Sequence, residues 1–143
     1  MELALQQAID AGARGEVPVG AVIVDRGGEV VARAGNETLA GHDPTGHAEI
    51  LAIRQACGAV GSSRLPGMDL YVTLEPCAMC AAAISFARIG RLYFGAPDVK
   101  GGAVEHGVRF FEQPTCHHSP EVYSGIDEVR SAALLKDFFQ ARR

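Results

Sequence analysis

No stretch of this 143-residue chain approaches the ~20 consecutive apolar residues that a membrane-spanning helix needs. The longest apolar runs, such as Val19 to Val24, fall far short. The N-terminus lacks a basic run followed by an apolar core and a small-residue cleavage site, so no secretory signal is expected and the protein is expected in the cytoplasm. Repeats, low-complexity tracts and linkers are also missing, and one domain over residues 1–143 is expected. An excess of basic charge is lacking: the formal net charge is −4, which argues against a broad electrostatic grip on nucleic acid. The deficit is uneven. Acidic residues outnumber basic ones up to Ala87, whereas Arg88, Arg91, Lys100, Arg109, Arg142 and Arg143 bring the remainder near balance, so a local basic face is allowed. Cysteine is scarce. Cys57 and Cys116 stand alone, disulfides are not expected in a cytoplasmic chain of this size, and Cys57 reads as a small apolar filler on a helix.

Apolar residues make up 48% and charged residues 21%, ordinary proportions for a globular chain able to bury a core. Residues 2–13 read as a helix with Leu5, Ala8, Ile9 and Gly12 near one face. Val17 to Val24 reads as a buried strand, Asp25-Arg26-Gly27-Gly28 as a turn, and Glu29 to Ala34 as the returning strand of a hairpin. A helix is expected from about Gly46 to Ala59, N-capped by Thr45 or Asp43 and stopped by Gly58 and Gly61. Asp69 to Leu74 is the next strand, leading through Glu75-Pro76 into a helix from Cys77 to about Ala87. Arg91 to Gly95 and Glu121 to Tyr123 complete the strands, with a helical turn around Val108 to Phe111 between them and a closing amphipathic helix over Asp127 to Arg142. This order predicts an α/β fold: a mixed sheet, antiparallel at the hairpin and parallel through its crossovers, covered by helices on both faces.

Chemistry concentrates in two short strings, Gly46-His47-Ala48-Glu49 and Glu75-Pro76-Cys77-Ala78-Met79-Cys80. Alone, Cys77-x-x-Cys80 leaves a structural metal, a redox pair and a catalytic metal all open. His47 shifts the balance. It opens one helix and Cys77 another, so both can converge at one end of the sheet, where open α/β sheets place their ligands. Cys80 lies one turn beyond Cys77. Two thiolates and an imidazole suit Zn²⁺, and three protein ligands leave a fourth tetrahedral position for catalysis. Glu49 would ordinarily be a first-turn glutamate complementing the helix dipole. Beside such a metal it reads as the group that takes the proton of an activated water.

His47-x-Glu49 followed by Pro76-Cys77-x-x-Cys80 resembles the signature of the zinc nucleobase deaminases. Glu16-Val-Pro-Val-Gly-Ala-Val, Asn36, His42-Asp-Pro-Thr, Tyr71-Val-Thr-Leu-Glu-Pro-Cys, Ala87-Arg-Ile and Phe94-Gly-Ala extend the likeness to the bacterial tRNA-specific adenosine deaminases. The resemblance implies a cytidine-deaminase-like three-layer α/β/α fold with a mixed five-stranded sheet, a homodimer, and one Zn²⁺ per chain held by His47, Cys77 and Cys80. It implies hydrolytic conversion of adenosine to inosine at the wobble position of a tRNA anticodon stem-loop, by a zinc-activated water with Glu49 as proton shuttle. Asn36 would bond the base, the Ala48 and Pro76 backbones would border the pocket, and Val17 and Pro18 would flank its entrance. The same zinc chemistry on a free base or nucleoside, such as guanine, cytosine or cytidine, is the alternative. Of Phe138 and Phe139, one is expected to pack, on a helix face with Val129, Ala133 and Leu135, and the other to stack on nucleotides; Lys100, Arg142 and Arg143 are candidates for phosphate contact. Gly46 stands where the family pattern leads one to expect alanine, predicting a looser helix start. Cys116-His117-His118 reads as a loop packing near the site, with a second metal patch as its alternative.

Overall fold

The computed structural model describes residues 1–142. Its elements are α1 (Glu2–Ala13), β1 (Gly20–Val24), β2 (Val30–Gly35), α2 (Ala48–Val60), β3 (Asp69–Leu74), α3 (Ala78–Phe86), β4 (Arg91–Ala96), a 3-10 turn at Phe110–Glu112, β5 (Glu121–Tyr123) and α4 (Glu128–Gln140). Among the described residues these strands form a five-stranded sheet in the order β2-β1-β3-β4-β5. β1 runs antiparallel to both β2 and β3, while β4 runs parallel to β3 and to β5. The mixed sheet and its two helical layers are those expected.

Strand alternation sorts the side chains between the two faces. Ala21, Ile23, Leu70, Val72, Leu92 and Phe94 enter the main core with Ala52, Ile53 and Ala56 of α2 and Ile84 of α3. Phe94 is fully buried, and its truncation to alanine would cost about 3–5 kcal/mol. The opposite face carries α1 and α4. Gly20 and Gly35 are cross-strand partners, and a Cβ on them would stand 2.6 Å from the Ala8 nitrogen and 2.7 Å from the Gln7 carbonyl. Two bare backbones side by side thus let α1 lie directly on the sheet.

Four local expectations are corrected. β1 begins at Gly20 rather than Val17, because Pro18 has no N–H to give a ladder and the Val19 N–H turns back to the Val17 carbonyl at 2.8 Å. The N-cap of α2 is His47, not Thr45 or Asp43: Asp43 instead accepts the Thr45 N–H and hydroxyl, at 2.9 and 2.6 Å. Ile9 of α1 is exposed, the buried face being Ala4, Leu5, Ala8 and Ala11. Val129 is 82% exposed and Ala133 faces out as well; α4 turns Ser131, Leu134, Leu135 and Phe138 inward, because only a small side chain fits against Gly95 of β4.

Candidate active site

The carboxyl end of β3 and the N-termini of α2 and α3 meet around one cavity of about 370 Å³. Its lining includes Val17, Asn36, Thr38, His47, Glu49, Leu74, Glu75, Cys77, Asp98 and Gly101. His47 and Cys77 are the N-caps of α2 and α3, with extended backbones (φ −76°, ψ 150° and φ −74°, ψ 176°). Neither side chain makes a capping hydrogen bond to its own helix. The Ala48 N–H is satisfied from outside by Asn36, whose Oδ1 accepts it at 2.8 Å. The imidazole and thiol are thereby left to point at each other.

His47 Nδ1 stands 3.6 Å from Cys77 Sγ and 3.5 Å from Cys80 Sγ, and the three ligand atoms lie within 4.8 Å of one another. Zn–S and Zn–N bonds of about 2.3 and 2.0–2.1 Å at a tetrahedral angle separate sulfur from nitrogen by about 3.6 Å. The donor set therefore fits zinc in type and in spacing. Cys80, with the help of His47, hydrogen-bonds Cys77 and holds its thiol down at about 4, a thiolate ready for a metal. Hydrogen bonding to Cys77 and burial push the Cys80 thiol up. Glu49, two residues along α2 from His47, is 4% exposed, and burial raises its carboxyl above the ordinary range.

Not every expected site residue reaches the cavity. Pro18 is buried against the end of α1, where a Cβ on Gly12 would lie 3.3 Å from it. Pro76 is also buried, its carbonyl accepting the Ala103 N–H at 2.9 Å, and the Ala48 N–H is committed to Asn36. Gly46 lies outside α2, bonded through its own backbone to Asp43 and Glu37, so it does not loosen the helix. Phe138 is half-buried with the Arg142 guanidinium 3.4 Å over its ring, while Phe139 is 48% exposed. Phe139 and Lys100 line a second cavity of about 370 Å³, which shares Val17, Leu74 and Asp98 with the first. Arg143 lies outside the described residues. The Cys116 thiol bonds the His118 carbonyl at 3.1 Å and approaches Ser85 at 3.5 Å, and the His118 ring bonds the Ile89 carbonyl at 2.7 Å. Among the described residues His47, Cys77 and Cys80 form the one such cluster, and Cys116-His117-His118 is not a second.

Sequence reasoning assigned no role to Thr38, Asp98, Gly101 or Glu75. Glu75 was visible as an acidic residue closing an apolar strand, but its partners lie 23 to 31 residues away.

Residues 1–96 match the family described as the cytidine and deoxycytidylate deaminase zinc-binding region. The chain belongs to this deaminase family. The tRNA-specific adenosine deaminase of Agrobacterium fabrum is 66% identical over 100% of this chain and 93% of its own. A solved structure from work on A-to-I editing by tRNA:A34 deaminases at the wobble position of transfer RNA is 67% identical, with a TM-score of 0.93 over 94% of this chain and 97% of that one. The guanine deaminase of Bacillus subtilis is 31% identical, with a TM-score of 0.65 over 78% and 82%. The deaminase described here thus resembles the tRNA-specific members far more closely than this free-base enzyme.

Proposed function

We propose that this chain hydrolyses adenosine to inosine, releasing ammonia, at the wobble position of a tRNA anticodon stem-loop. One zinc ion per chain would be held by His47, Cys77 and Cys80. The carrying observation is that a tetrahedral-spaced donor set and a buried, proton-prone carboxylate open into the same cavity as Asn36. The full-length likeness to tRNA-specific relatives supports the substrate. When bound, zinc lowers the pKa of a water from 15.7 toward about 7. Glu49 accepts one proton of the attacking water and delivers it to N1 of the adenine, where it stays in inosine, and then takes the remaining hydroxyl proton from C6 and gives it to the amine, which departs as ammonia. Its raised pKa suits that exchange, since a carrier works best near the operating pH.

Asn36 has its acceptor engaged by Ala48 and keeps its amide N–H₂ to donate to a ring acceptor of the base. Val17, which lines the cavity, would form the pocket edge. The second cavity supports a substrate larger than a nucleoside: Phe139 would stack on a neighbouring base, Lys100 would meet a phosphate, and Arg142, engaged on Phe138, would contribute at the margin. α4 packs on β3, β4 and α1, which supports residues 1–143 acting as one unit. Phe86 and Val108, 67% and 56% exposed on α3 and the segment near it, support a homodimer. No helix of the described residues is long and apolar enough to cross a membrane, in keeping with work on tRNA in the cytoplasm.

Mass spectrometry of a stem-loop with adenosine at the first anticodon position, incubated with zinc-loaded protein, should show inosine. Ammonia from guanine, cytosine or cytidine with the RNA untouched would establish the free-base alternative instead.

A further inference from the structure

A second carboxylate faces the cavity and has no part in proton transfer. The Glu75 side chain is wholly buried. Its Oε1 accepts the Asp98 N–H at 3.0 Å and the His106 ring Nδ1–H at 2.8 Å. Its Oε2 accepts the N–H groups of Val104, Glu105 and His106 at 3.1, 2.9 and 3.1 Å. The segment around it is built to come this close. At Gly102 a Cβ would stand 2.5 Å from the Glu75 carboxyl carbon, and the Ala103 N–H bonds the Pro76 carbonyl. Asp98 in turn gathers the Lys100 and Gly101 N–H groups at 3.2 and 2.9 Å. The result is a loop folded around one carboxylate. Asp98 and Gly101 on this loop line the cavity that holds Glu49, and Val99 and Lys100 line the adjoining one.

We propose that Glu75 is a positioning residue for deamination: with His106 closing its cradle, it holds the 98–106 loop in place as one wall of the base pocket. Without that carboxylate, four inward-facing N–H groups of the loop would have no acceptor in a buried place, and the loop would rearrange to find one. The wall would then shift relative to Glu49 and Asn36, which stand on α2 and after β2 and are not bonded to it. Misplacement by ~1 Å can cost about 100-fold in rate. This inference rests on the deaminase reading above.

The test compares full-length, zinc-loaded wild type with Glu75→Gln, Glu75→Asp and His106→Ala on an anticodon stem-loop, together with zinc content and amide hydrogen exchange. Glu75→Gln, which places an N–H₂ among donors, should lower kcat/KM about 10–100-fold with one zinc retained. Exchange protection should fall at residues 98 and 104–106 and persist in β1 and β3. Glu75→Asp, keeping both acceptors on a shorter arm, should recover part of the loss, and His106→Ala should raise KM about 3–10-fold. Unchanged kinetics in Glu75→Gln would overturn the proposal, as would activity lost only in proportion to zinc. If Glu75→Gln does not fold, His106→Ala decides, an unchanged KM counting against the proposal. Wild-type protein inert on the stem-loop would overturn the wobble reading itself, a result distinct from an active wild type indifferent to Glu75.

Discussion

Glu49 lies two residues after His47 and Glu75 two residues before Cys77. They are 4% and 2% exposed, and both line the same cavity. Their proton affinities are nevertheless driven in opposite directions. Burial raises Glu49, against the weaker pull of its own backbone N–H. Burial also pushes Glu75 up, but the N–H groups of Asp98, Glu105 and Val104 and the His106 ring outweigh it and hold the carboxyl below its usual range. Glu16 follows Glu75: the N–H groups of Leu39 and Ala40 and the Thr38 hydroxyl keep it low at 2% exposure. What separates a carboxyl driven toward its protonated form from a framework anion here is the number of donors facing it, not its depth. One cavity can therefore be lined by a carboxyl driven up and a carboxylate held down, with Glu16 outside that lining repeating the second arrangement.

The strongest way to break this comparison is to exchange the roles by mutation. Glu49→Gln should reduce inosine formation by about 10²–10⁴-fold, the usual contribution of general acid–base catalysis, while zinc content stays at one per chain. Its stability should move the other way. A carboxyl raised in the fold stabilises below its unfolded value and loses that contribution as pH rises through its folded one. Glu49→Gln should therefore unfold at the same or higher urea concentration as wild type at pH 7. A clear loss of stability would show that Glu49 is a framework residue after all. Removal of zinc with a chelator should also abolish inosine formation, lower the melting temperature, and be reversed by added zinc, because a bound metal stabilises the folded state alone.

Glu16 sharpens the contrast from the other side. Held low, it stabilises fully above its usual value near 4.5, and that contribution is lost as pH falls through the folded value. Glu16→Gln should cost about 1–3 kcal/mol at pH 7 by urea unfolding, since the Leu39 and Ala40 N–H groups lose an acceptor. It should also flatten the fall in stability below pH 4.5. An unaltered acid limb would mean that the cradle around Glu16 does not govern its titration.

The same contrast explains what could be read from the sequence. His47, Glu49, Cys77 and Cys80 were legible because each string is local: two helix starts deliver ligands one turn or two residues apart, and helical geometry does the rest. The strands at Asp69–Leu74 and Glu121–Tyr123 were legible with their bounds, through composition and flanking breakers. The frame was not. The roles of Glu16 and Glu75 depend on which backbone donors a distant loop presents, and no period in the sequence records that. The cap of α2 failed for the same reason, its acceptor being Asn36 from the end of β2. The inward face of α4 was set by a glycine on β4, which selects Ser131 over a larger neighbour.

The smallest expected effects belong to the residues of the second cavity proposed to meet RNA. Phe139→Ala should weaken stem-loop binding by about 1–3 kcal/mol if its exposed ring stacks on a base, with kcat at saturating stem-loop unchanged. Lys100→Ala should do less. Lys100 is exposed and lines the second cavity, and its backbone is tied through Asp98 to the loop folded on Glu75. Removing its single phosphate interaction should reduce the slope of log K against log salt by about 1 and leave kcat at saturating RNA unaltered. Binding measured between low and physiological salt checks this directly. A slope that does not change would place the phosphate path elsewhere; a fall in kcat would mean that Lys100 acts on the wall of the base pocket rather than on the RNA beyond it.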